Sequence, residues 1–201
     1  MKKNILKVFL VLSLLTSIQA KDTKPAPLMM SMTDIKGKTY TVEGTTQGLK
    51  IQGLEGKVTF IEFFGHQCPP CVASIPHLVK LKEKYKDTLA IVSIEVQGFN
   101  NEQLKKFVAD KSINYTVFSE GQASDVVRYI QQRAQWTGSI PFLVALDTKG
   151  DVQFVQAGML PEASLEDLIK QLSHTSKETN SSNEMNTTKE TNSSQETNST
   201  K

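Results

Sequence analysis

Val58-Thr-Phe-Ile-Glu-Phe-Phe64, Gly65-His66-Gln67 and Cys68-Pro69-Pro70-Cys71 stand end to end in this chain, and their order decides its fold. The first seven residues are β-branched and aromatic, apolar at both alternating sets of positions, with Glu62 the one interruption. Such a run fits a central strand covered on both faces. After a short loop the cysteines open a helix: Cys71, Ile75, Leu78, Leu81 and Tyr85 recur near helical spacing, and lysines hold much of the outer face. Pro69 and Pro70 suit a first helical turn, because the N–H groups they lack would have no partner there.

Two cysteines at this spacing, with no others in 201 residues, point to chemistry or metal binding. A bridge across two intervening residues constrains too little chain to serve as a scaffold. Cys68 at the helix start faces unpaired backbone N–H groups and the positive end of the helix dipole, which favour its thiolate. Cys71, one turn on, can reach back and resolve a mixed disulfide. Neither proline can donate to the Cys68 sulfur, so the thiolate is less stabilised and the couple less oxidising, which favours reduction.

Glu62 lies six residues before Cys68 in an apolar strand, where a carboxylate is costly unless neutral, paired or solvated. Beneath the sulfurs it would accept the Cys71 proton; at an edge it would merely be solvated. His66, two residues before Cys68, could tune the thiolate or touch substrate, although such a loop histidine is more often simply exposed; His77 reads as a helix-surface residue and Trp136 as a packing residue. A copper or zinc module built on Cys68, Cys71 and a histidine is the reading from another class, and it leaves the third ligand unassigned. No resident cofactor or metal is expected.

Outward from this core, residues 1–20 read as a cleaved secretory signal, with Lys2, Lys3 and Lys7 before the apolar run Val8 to Leu15. An uncleaved anchor is the alternative. Without those three lysines the formal charge of +2 becomes −1, and a near-neutral chain has no electrostatic footprint for nucleic acid. Residues 21–172 make one domain. Residues 173–201 are polar, expected to be a disordered tail with four hexads from Glu178. Asn180, Asn186, Asn192 and Asn198 each match the N-x-[ST] acceptor pattern with a Glu two residues earlier, although copying of one hexad produces the same repetition.

Within the domain, Ser31–Ile35 and Thr39–Glu43 read as a hairpin, and Gly48–Gln52 as a further short segment. Leu89–Val96 is a second buried strand. Helix Glu102–Asp110, strand Tyr115–Phe118 and helix Ser124–Arg133, with Ser124 as cap, come next. Strands Phe142–Leu146 and Val152–Ala157 and a helix over Pro161–Leu172 close the domain. The fold class is α/β, a central mixed sheet flanked by helices, with an N-terminal hairpin and a central βα insertion. Taken alone, Ile140-Pro141 before a strand reads as trans.

The sequence resembles the thioredoxin superfamily, and within it the exported TlpA/ResA-type oxidoreductases. The resemblance runs from about Met32 to Leu172. It rests on Phe60-Ile-Glu-Phe-Phe-Gly-His-Gln-Cys-Pro-Pro-Cys71, on Pro76, Leu78 and Leu81, on Gly138-Ser-Ile-Pro-Phe-Leu143 and on Asp147-Thr-Lys-Gly150. The interval of 73 residues from Cys68 to Pro141 suits the TlpA type. The resemblance implies a thioredoxin-like fold, Cys68 as attacking thiol, Cys71 as resolving thiol, a redox disulfide between them and Glu62 as the buried acid. It also implies a cis Pro141 and an Ile140 backbone that pairs with an extended substrate segment. Gln67 replaces the usual Trp and Ser74 an acid, which weakens a role in cytochrome c biogenesis. The implied activity is periplasmic exchange with protein disulfides or dithiols, as a monomeric reductase fed by a membrane thiol carrier. A DsbA-like oxidase is the alternative.

Overall fold

A computed structural model describes residues 27–184, with side chains through residue 173. The expected signal, residues 1–20, and Asn186, Asn192 and Asn198 lie outside the described residues. Strands β1 (Leu28–Thr33), β2 (Thr39–Gly44) and β3 (Leu49–Ile51) form a small antiparallel sheet. Strands β4 (Val58–Phe64), β5 (Leu89–Glu95), β6 (Thr116–Ser119), β7 (Phe142–Leu146) and β8 (Val152–Ala157) form the main sheet in the order β6-β5-β4-β7-β8. Helices α1 (Pro69–Lys84), α2 (Asn101–Asp110), α3 (Ser124–Ala134) and α4 (Glu162–Glu184) complete the chain.

Strand β4 is central, parallel to β5 and antiparallel to β7, and all seven of its residues are buried. Its period-two geometry sorts them. Ile61 and Phe63 pack with Val92, Ile94, Phe142, the small sheet and α3. Val58, Phe60 and Phe64 pack on the other side with Leu78 and Leu81 of α1, Leu104 of α2, and Leu165, Ile169 and Leu172 of α4. Glu62 belongs to the second set, so it faces the helix that carries the cysteines. Ser93, its partner in the parallel register, and Glu95 share that face on β5 by the same alternation. Among the described residues no helix is long and apolar enough to cross a membrane.

Some element boundaries differ from the sequence reading. The first strand begins at Leu28, because pairing runs the whole length from Leu28↔Gly44 to Thr33↔Thr39. Ser124 lies inside α3; Ala123 is the cap residue and offers no side-chain acceptor. Helix α4 runs to Glu184 instead of Leu172, so the backbone of the expected tail is helical over its first part, Asn180 included. Residues 173–184 contain neither Gly nor Pro, and extending an existing helix adds one hydrogen bond per residue fixed. Trp136 packs edge-on against Phe63, as expected of a core residue.

Candidate redox site

Cys68 caps α1 and is joined to Cys71 in a disulfide, with Cα atoms 5.2 Å apart. The cap is made by sulfur itself: the Cys71 N–H donates to Cys68 Sγ at 3.3 Å. That donor partly replaces the N–H groups that Pro69 and Pro70 lack. Cys68 is 7% exposed and Cys71 0%, so what little access to solvent the pair has belongs to Cys68.

On the sheet face toward α1, Glu62 is 5% exposed. Ser93 Oγ donates to its Oε2 at 2.8 Å, and Ser74 Oγ lies 3.2 Å from its Oε1. Burial pushes the Glu62 carboxyl up to about 7 against the opposing pull of the two serines. Ser74 also donates to the Cys71 carbonyl at 2.8 Å. A serine hydroxyl has one proton, so it cannot serve both acceptors at once. With Glu62 neutral, the carboxyl O–H can donate to Ser74 while Ser74 donates to Cys71, and every partner is satisfied. Tyr115 extends the network through Ser93, its phenol pushed up by burial and by the Glu62 charge.

The Ile140–Pro141 peptide is cis, against the base-rate reading of that dipeptide. Ile140 packs against the cluster that contains Cys68 and Cys71. Glu62, Ser74, Pro141 and Met159 share a cleft of about 20 Å³, enough for one water molecule, which links the buried acid to the proline loop. A larger groove of about 680 Å³ between the β1–β2 turn and α2 lies away from the disulfide. Chemistry on protein thiols calls for an accessible sulfur and a strand-like edge, so volume does not locate this site.

The reading of His66 as an exposed loop residue is overturned. Its side chain is only 14% exposed, and its Nδ1 lies 2.7 Å from Oε1 of the fully buried Glu95. His77 is half-buried rather than a surface residue. The loop carrying His66 is clamped further: the Gln67 N–H donates to Gln97 Oε1 at 2.8 Å, and a Cβ on Gly65 would run into the Gln97 amide. Gly65→Ala should therefore break the Gln67–Gln97 bond and lower stability by about 1 kcal/mol in thermal or denaturant unfolding. Ser74, Ser93 and Glu95 were missed. Glu95 carried the same signal as Glu62, an acid in an otherwise apolar strand. Among the described residues no group of three His, Cys, Asp or Glu side chains is arranged to hold a metal ion.

With this geometry in hand, likeness to known proteins becomes informative. ResA of Halalkalibacterium halodurans, a thiol-disulfide oxidoreductase, is 22% identical over 128 residues, covering 62% of this chain and 67% of that protein. Protein DipZ of Mycobacterium tuberculosis is 27% identical over 152 residues, covering 72% of this chain, which spans only 21% of DipZ. The crystal structure of a thiol:disulfide interchange protein from Chlorobium tepidum superimposes with a TM-score of 0.61 at 22% identity, covering 76% of this chain and 99% of that one. The fold is thioredoxin-like. The Redoxin family model matches residues 27–171, which span the main sheet, the disulfide and the proline loop, and the chain belongs to that family.

Proposed function

We propose that this protein is an exported thiol–disulfide oxidoreductase that reduces disulfides in protein substrates. The carrying observation is the disulfide at the start of α1, with Cys68 slightly exposed, Cys71 fully enclosed, and the buried Glu62 linked to Cys71 through Ser74. In this reading the Cys68 thiolate attacks a substrate disulfide, forming a mixed disulfide and releasing one substrate sulfur as thiolate. Glu62 takes the proton of Cys71, directly or through the cleft, and its position near pH 7 suits that task. The Cys71 sulfur then attacks Cys68, the second substrate thiolate leaves, and the protein ends as the disulfide. A dithiol carrier in the membrane returns two electrons. The Ile140 backbone would align an extended substrate segment beside the sulfurs.

The proposal of export rests on the basic, apolar and polar order of residues 1–20, and the periplasm is the compartment that this reading implies. Reduction is favoured over a DsbA-like oxidation because, among the described residues, the Cys71 N–H is the one backbone donor to the Cys68 sulfur. Thiol trapping in cells tests the direction. A reductase fed from the membrane is found mostly as the dithiol despite its oxidising surroundings, and becomes disulfide when the carrier is deleted. A protein found mostly as the disulfide would instead be an oxidase.

A further inference from the structure

Glu95 is a second fully buried carboxylate, and the reaction above makes no use of it. It ends β5 on the face that holds Ser93. Its Oε1 accepts from His66 Nδ1 at 2.7 Å and from the Gln97 N–H at 3.0 Å, and its Oε2 accepts from the Phe99 N–H at 2.9 Å. Its side chain is 0% exposed. A carboxylate in that position calls for a countercharge, and among the described residues His66 is the basic side chain that contacts it, a cation when protonated. The imidazole also lies flat on Phe99, with ring centroids 3.5 Å apart and planes 11° apart, a stack that favours a cationic ring.

His66 is therefore built in. It is also next to the chemistry. The Cys68 N–H donates to the Gly65 carbonyl at 3.2 Å, so His66 and Gln67 are the middle of a turn that ends at the sulfur-bearing residue. Two peptide units keep the His66 and Cys68 Cα atoms within about 7.6 Å.

We propose that His66, oriented by Glu95, is a positioning residue for Cys68 whose positive charge stabilises the attacking thiolate. The proposal rests on Cys68 being the attacking sulfur. It offsets only part of what the Pro69-Pro70 motif withholds, since those residues give the sulfur neither an N–H nor a charge, so the couple stays less oxidising than one with N–H donors as well. When the imidazole is protonated the His66–Glu95 pair is neutral overall, with its cationic half on the loop that carries Cys68. When the imidazole loses its proton the pair carries a negative charge with one half on that loop, and the thiolate is disfavoured. Among the other titratable groups, Glu62 on β4 lies on the same sheet face as Glu95.

The test uses the full chain in a Cys71→Ser background, which leaves Cys68 as the only thiol. Its alkylation by iodoacetamide is followed against pH in that parent and with His66→Gln or His66→Lys added. His66→Gln should raise the midpoint by roughly 0.5–1.5 pH units. His66→Lys keeps a charge at the site and should hold the midpoint within roughly 0.3 pH units of the parent. If both variants move it alike, or His66→Gln leaves it in place, His66 only anchors the loop and the proposal is wrong. A parent whose Cys68 does not react at any pH would instead sink the redox reading itself.

Discussion

Cys71→Ser should convert the protein into a trap that accumulates mixed disulfides with its substrates, while multiple-turnover disulfide reduction drops below about 10⁻³ of the parent rate. Without the second thiol the adduct on Cys68 has no internal nucleophile to displace it. Cys68→Ser should lose turnover as completely yet give no adducts, because the remaining sulfur is 0% exposed at the base of α1. The contrast between the two variants is the informative part. Non-reducing electrophoresis and intact mass spectrometry of protein recovered from cells read it directly. Equal adduct formation by both variants would mean that burial does not separate the sulfurs, and the assignment of attacking and resolving roles would fail.

Much of this site could be read from the chain because its parts are local. The run Val58–Phe64 carries its own evidence of a strand covered on both faces. The proline pair marks a helix start, and an acid among Val, Phe and Ile announces itself as costly. Ser74 and Ser93 were not legible for the converse reason. A serine between apolar neighbours is unremarkable until the β4–β5 register and the first turns of α1 bring two hydroxyls onto one carboxyl. His66 was misjudged because loop histidines are read by exposure, and the partner that removes this one from solvent is Glu95, far along the chain on another strand. Glu95 itself had the signature that exposed Glu62 and was passed over at the end of a strand, where solvation is the ordinary expectation. The cis Ile140–Pro141 bond ran against the base rate of its dipeptide and with the family resemblance. The late end of α4 followed from judging it by apolar spacing alone, which describes what docks on the sheet and not how far hydrogen bonding propagates.

Glu62→Gln should make the oxidised protein more stable at pH 8 and less competent as an enzyme. The Glu62 carboxyl sits near 7 in the folded protein, against an ordinary value of 4.5, with burial as the main cause. Between those two values the folded state keeps a proton that the unfolded state has already released. Stability therefore falls as pH rises from about 4.5 to 7, and levels off above that window. Each pH unit is worth about 1.4 kcal/mol, so the loss amounts to about 3 kcal/mol. Glutamine has the shape and hydrogen-bonding habit of the neutral acid, and it does not titrate. Near pH 4 the variant and the parent should match; by pH 8 the variant should lead by about 3 kcal/mol. Denaturant unfolding of both oxidised proteins at pH 4, 6 and 8 gives the difference, in which contributions from other titrating groups cancel. In the same variant the Cys71 proton loses its acceptor, and release of the mixed disulfide should slow about 10²-fold near neutral pH. A stability difference that stayed constant across the window would place the Glu62 titration elsewhere. The acid would then have no proton to exchange with Cys71 at the pH where the enzyme works.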